Sequence, residues 1–272
     1  MKSRKISDER VIKEASLSLE GLKHWLGDLI FDHGSTHFRV PDEVFGVWSG
    51  EVFDSYSKAE DEKVRRMILQ KVLHTKEVME AGIDISSEKG EFNWDIYQVN
   101  SVCLLHDLGR FGQALLGGYS DKKTNFDHAE AGAVIIESRD WRDIERLGLN
   151  KNVIVEAVRQ HNKKVYKGND EYAKLTRDAD KLALLRYAPY FLREDVFPRA
   201  GVTKQVLDAH KIGEMVSTEH VKTLADVMIA WLAWESDLNF EETRRLCCED
   251  GVMEWLKLEL KRILGDGWNH RG

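Results

Sequence analysis

Apolar residues recur at three- and four-residue spacing through most of this chain, and polar, glycine-bearing stretches separate the runs. The spacing predicts helices over about 7–32, 43–81, 95–108, 128–147, 151–163 and 171–193, the second broken near 55–61. Further helices are expected over about 203–216, 218–236, 241–248 and 250–264. Breakers cluster at 32–43, 82–94, 117–127 and 164–171, which read as loops. Asp127 stands where it can cap a helix starting at His128, while Gly82 and Gly109 stand where the preceding helices should stop. The expected fold class is therefore all-α, in one compact domain with extra helices at both ends. The aromatic residues of the last third, among them Trp231, Trp234, Phe240 and Trp255, repeat at helical spacing and read as packing.

Certain polar residues interrupt the apolar faces. His106 follows Val99, Val102 and Cys103 at helical spacing within VNSVCLLHDLG, a segment apolar almost all round, and Asp107 comes next on the same turn. His161 follows Ile154, Ala157 and Val158 in the same way. His74 shares a face with Met67, Val78 and Ala81, and Asp180 with Thr176, Ala183 and Leu184. His128 lies with Ala131, Gly132 and Ile135, whose small members would admit a close neighbour. Each taken singly reads as a core histidine with a hydrogen-bond partner, or an aspartate in a salt bridge. Together they would need six separate hydrogen-bonding solutions in one core, whereas a shared metal centre satisfies all of them. His24, His33, His37, His210, His220 and His270 sit in polar or terminal contexts and read as surface residues. Asp178 competes with Asp180, but the apolar turn at 182–185 favours Asp180 as the inward one.

Composition narrows the partners. Three prolines in 272 residues, with abundant Leu, Ala, Glu and Lys, favour helix. A formal charge of -7 argues against a nucleic-acid duplex or an anionic membrane as partner, since both require a basic field. Cys103, Cys247 and Cys248 suit neither a disulfide framework nor a paired-cysteine zinc site, and fit a reducing cytoplasm. The start, MKSRKISDERVIKEAS, lacks the apolar segment of a signal or anchor, and no stretch nears the roughly 20 apolar residues of a membrane-spanning helix. The motifs of P-loop proteins, α/β-hydrolases and zincins are absent.

The ordered set His74, His106-Asp107 and Asp180 resembles the ligand signature of the HD-domain superfamily of metal-dependent phosphohydrolases. KVLHTKEV, VCLLHDLGRFGQ and TRDADKLALLRY carry the likeness, which spans about 65–190 and leaves flanking helices over 1–64 and 191–272. His128 in FDHAEAGAVII and His161 in VRQHNKK match the two additional histidines of the binuclear branch. The resemblance implies one metal held by His74, His106, Asp107 and Asp180, and a second taking His128 and His161, with Asp107 as the bridge. Mixed imidazole and carboxylate ligands suit iron, manganese, cobalt or nickel. Such a pair acidifies a bridging water and neutralises the transferring phosphoryl group. Arg110, one turn beyond His106 where relatives often carry lysine, is expected to clamp a phosphate oxygen, with Lys163 and Lys164 as secondary candidates.

The resemblance implies a phosphomonoesterase or phosphodiesterase acting on a nucleotide or other small phosphorylated metabolite. His161 is followed by Asn162 and VYKGNDE, where the cyclic-dinucleotide branch carries a second histidine and a Gly-Tyr-Pro, so that specific activity is not expected. Nor does the stringent-response branch fit, since its site lacks counterparts of His128 and His161. Two alternatives stay open: a di-iron oxygenase built on the same ligands, and a non-catalytic module that binds a nucleotide.

Overall fold

A computed structural model describes residues 17–31, 38–88, 93–192, 201–265 and 268. The first ten residues of the helix predicted from position 7, together with His33, His37 and His270, lie outside the described residues. Among the described residues every regular element is helical and none is a strand, so the fold is all-α as the spacing predicted. They group into two compact units, Met1–Asn162 with Gly168–Thr176, and Lys163–Lys167 with Arg177–Gly272.

The first unit opens with α1 (Leu19–Ile30), whose Ser18 cap accepts a bond from the Gly21 amide and whose Leu22, Leu26 and Ile30 are buried, on the side of α2 (Asp42–Lys58). Asp61 then starts α3 (Glu62–Ser87) by accepting from the Lys63 amide, placing the expected break at 59–61. Next come α4 (Ile96–Leu105), α5 (Leu108–Ala114), α6 (Asp121–Thr124), α7 (His128–Ser138), α8 (Arg142–Arg146) and α9 (Lys151–Gln160). The helices α3 and α4 run against each other, α7 lies between α5 and α9, and α9 also meets α4.

Two glycines behave differently from expectation. The helix α3 runs five residues past Gly82 to Ser87, and Gly109 sits inside α5 rather than ending a helix. The missing side chain serves close packing in both. A Cβ at Gly82 would meet Cys103 Sγ at 2.5 Å, and one at Gly109 would lie 2.2 Å from the His128 carbonyl oxygen and 2.9 Å from the Gly132 amide nitrogen. Spacing alone could not separate a helix stop from a crossing point, because glycine serves both. The helix predicted over 128–147 is likewise divided: α7 ends at Ser138, and buried Trp141 turns back to donate to the Ile136 carbonyl at 2.6 Å.

Within the second unit, α10 (Glu171–Phe191, counted here from Arg177) is followed by α11 (Lys204–Lys211), α12 (Leu224–Leu232), α13 (Glu241–Glu249) and α14 (Val252–Leu264). The segment predicted as one helix over 218–236 is regular only over α12, flanked by 3-10 turns at Thr218–His220 and Ala233–Asp237. A capping box resets its start: the Thr223 hydroxyl accepts from the Asp226 amide, and the Asp226 carboxylate accepts from the Thr223 amide. The helix α12 is buried nearly all round and contacts α11 and α14. Trp231 and Trp234 stack with centroids 5.3 Å apart, which fits the packing role expected of them. No described helix is long and apolar enough to cross a membrane.

Candidate metal centre

The helix α4 ends at Leu105, and Asp107 breaks the helical path with φ -100° and ψ 22° before α5 begins. This joint leaves His106 and Asp107 buried side by side. The Gly109 contact then draws the first turn of α7 against α5 backbone to backbone, which carries His128 to the same point. Gly132 completes the approach, since a Cβ there would meet the Gly109 amide at 3.2 Å and Val158 at 3.2 Å. Gly132 is among the small residues expected to admit a close neighbour beside His128, and α5 and α9 are those neighbours.

Four imidazoles surround the Asp107 carboxylate. His106 Nε2 lies 3.4 Å and His74 Nε2 3.8 Å from Oδ2, while His128 Nε2 and His161 Nε2 each lie 3.4 Å from Oδ1. The ligating atoms of Asp107, His128 and His161 all fall within 4.8 Å of one another. Each oxygen of one carboxylate thus faces its own pair of histidines.

The opposite ring nitrogens fix the tautomers. His106 Nδ1 donates to the Cys103 carbonyl at 2.7 Å and His161 Nδ1 to the Val158 carbonyl at 2.7 Å; a carbonyl only accepts, so these rings carry the proton on Nδ1. His128 Nδ1 meets both Asp121 oxygens, at 2.9 and 2.8 Å. Burial pushes the His128 imidazole down to about 4 against the pull of Asp121, leaving it neutral near pH 7 with an electron pair on Nε2. The Nε2 atoms of His128 and His161 are 3.0 Å apart, both directed at Asp107. Converging nitrogen electron pairs beside an ionised carboxylate form a donor set that fits a divalent cation, and the bonds at Nδ1 are those that orient metal-binding histidines.

Charge at Asp107 is stabilised from α3. Burial opposes its ionisation, but Lys71, whose Nζ lies 2.7 Å from Oδ2, holds the carboxyl well below the usual carboxylate range. Asp121 is held down to about 2, its partial burial outweighed by the bond to His128, Gln113 and nearby Arg110. Lys71, Gln113 and Asp121 were not anticipated from the sequence. Lys71 precedes His74 by three residues and so shares its helix face, a signal available beforehand. Asp121 lies in a polar, lysine-bearing stretch that reads as a loop.

Arg110 occupies an unexpected position. Its Nη1 donates to Gln113 Oε1 and the Tyr119 carbonyl, both at 2.6 Å, and to Asp121 Oδ1 at 3.0 Å, so this nitrogen ties down the loop before α7. Lys163 and Lys164 fall among residues of the second unit, Lys164 exposed and the Lys163 carbonyl accepting from Arg177. Asp180 is half-buried on α10, also among residues of that unit. Asp178 is the more deeply buried of the two, because its face meets the 239–243 segment: it accepts from the Asn239 and Phe240 amides and the Thr243 hydroxyl. His24 is exposed beside Asp28, His210 stacks on Trp268, and His220 lies 3.7 Å from Glu219.

Residues 71–185 match the family model described as HD domain. The chain carries an HD domain. No curated protein and no solved structure matches the chain. HD domains are for the most part metal-dependent hydrolases that bind divalent metals, and the histidines and Asp107 gathered here lie inside the matched segment of this HD domain.

Proposed function

We propose that this HD domain is a phosphohydrolase, a phosphomonoesterase or phosphodiesterase acting on a nucleotide or another small phosphorylated metabolite. In this reading two divalent transition-metal ions are held, one by His74, His106 and Asp107 and the other by His128, His161 and Asp107, with iron, manganese, cobalt or nickel as the fitting metals. Asp180 joins the first set by its place in the family motif. The observation that carries the proposal is the division of labour around Asp107, one oxygen facing His74 and His106 and the other facing His128 and His161.

When bound, such a pair supplies an acidified water and neutralises charge on the transferred phosphoryl group. The chain's own residues prepare that chemistry. Asp107 keeps its negative charge in a buried setting because Lys71 stabilises it. Asp121 and the Cys103 and Val158 carbonyls hold three rings with Nε2 directed inward. Gln113 braces Asp121 by donating to its Oδ1 at 2.8 Å. The three cysteines are free thiols, two of them buried, and the reading places the protein in a reducing cytoplasm.

The test loads purified protein separately with manganese, iron, cobalt and nickel and measures release of phosphate or nucleoside from a panel of nucleotides and simple phosphate esters. Turnover that disappears in Asp107→Asn and returns with added metal only in the wild type is expected. Well-folded, metal-loaded protein that turns over no ester overturns the proposal. Substrate-dependent oxygen uptake by the iron form would indicate the oxygenase, and tight nucleotide binding without turnover the regulatory module.

A further inference from the structure

We infer that Lys71, rather than Arg110, is the cationic side chain that binds the anionic oxygens of the substrate beside Asp107. The inference rests on the phosphohydrolase reading and deepens it by moving substrate recognition from the loop side of the centre to α3. A phosphate ester reaching this centre needs a cation with donors to spare and a path to solvent. The two cations nearest Asp107 are similarly open, their side chains 19% and 17% exposed, and differ in what their donors already hold.

The Arg110 guanidinium is tied down at Nη1. Its Nη1 holds three acceptors across the 113–121 segment, and its Nε is 3.4 Å from Asp107 Oδ1. Turning it toward a substrate would release Asp121, whose carboxylate in turn orients His128. Lys71 carries three N–H donors and spends one on Asp107 Oδ2 at 2.7 Å. Its side chain remains 19% exposed beside Asp107, which is 4% exposed.

Position supports the role. Lys71 is three residues before His74 on α3, so both project from one helix face toward Asp107. The ring of Tyr119 sets the ammonium in place: Nζ lies 5.6 Å from its centroid, and Arg110 approaches the same ring at 5.9 Å. Tyr119 is itself anchored, its hydroxyl donating to the Met67 carbonyl at 2.6 Å. The result is a fixed positive charge at the edge of the centre with two donors uncommitted, which suits the non-bridging oxygens of a phosphate group.

The experiment compares wild type, Lys71→Met and Lys71→Arg, each loaded with manganese. It measures bound metal, calorimetric affinity for inorganic phosphate, and KM and kcat for the best ester found. Lys71→Met is expected to weaken phosphate binding about 10- to 100-fold and raise KM in parallel at full metal content, with Lys71→Arg recovering most of the loss. Unchanged phosphate affinity and KM in Lys71→Met overturn the inference while leaving the phosphohydrolase reading standing. So does loss of phosphate binding that only follows loss of metal, since Lys71 would then act merely as counter-ion to Asp107. If Lys71→Met does not fold, Lys71→Arg and Lys71→Gln decide by the same readouts. Wild-type protein that neither binds phosphate nor hydrolyses any ester overturns both.

Discussion

Asp107 in the first unit and Asp178 in the second are both buried carboxylates, and their surroundings treat them oppositely. Around Asp178 stand neutral donors, the Asn239 amide and side chain, the Phe240 amide and the Thr243 hydroxyl, at 2.7 to 3.0 Å. Burial prevails over them and over the nearby Lys181 charge, and pushes its carboxyl up. Around Asp107 stand an ammonium and four imidazoles, and the carboxyl is held well down despite burial. Burial alone therefore says little about function. A carboxylate enclosed by N–H and O–H donors is satisfied by the protein and serves as a brace. One enclosed by nitrogen electron pairs whose ring protons are engaged elsewhere is half of a cation site.

Four measurements break or sharpen this contrast. The largest effect belongs to Asp107→Asn, expected to lower turnover about 10³-fold or more by removing the shared ligand, a loss of roughly 4 kcal/mol in transition-state stabilisation. Its melting temperature should stay near that of the wild type; substantial residual turnover would return Asp107 to the class of braces. Asp178→Ala should act on stability instead. It strands several buried donors, at a cost of about 3 kcal/mol, read in urea unfolding. A variant as stable as the wild type would show that those donors find other acceptors.

Next in size is Asp121→Asn, which removes the charge holding His128 in register. Metal affinity should fall about 10- to 100-fold, measured by competition with a chelating dye, and unchanged affinity would make Asp121 a bystander. The smallest effect concerns Asp226, which accepts from the Thr203 amide and hydroxyl and the Lys222 and Thr223 amides. Burial opposes its ionisation, but those donors outweigh it and its carboxyl is lowered. A folded value below the unfolded one means its stabilisation is present above the ordinary carboxylate range, near pH 3.9, and is lost as pH falls through the lowered value. Thermal melts between about pH 5 and pH 2 should show a shallower decline for Asp226→Asn than for the wild type. Parallel curves would mean that the four donors leave the Asp226 titration unchanged on folding.

Much of the fold could be read from periodicity, because a buried helix face imposes spacing on a local stretch of chain. The breaks were harder. The stop at Leu105, the continuation through Gly82 and the helical setting of Gly109 depend on what another helix places opposite them. Trp141 ends α7 through a bond back to Ile136, which no local pattern announces.

For the candidate centre, the sequence by itself determined the histidines and aspartates that interrupt apolar faces, since a polar residue in such a setting must be satisfied somewhere. Tertiary structure alone decided how they are satisfied. It put two imidazoles at each oxygen of Asp107, assigned Asp178 to the 239–243 segment, and engaged Arg110 with Gln113 and Asp121 while leaving Lys71 beside Asp107. The physical reason is range: helical spacing reports a residue's own face across a few turns, whereas a hydrogen bond or shared ligand joins residues tens of positions apart, as Lys71 and Asp107 are.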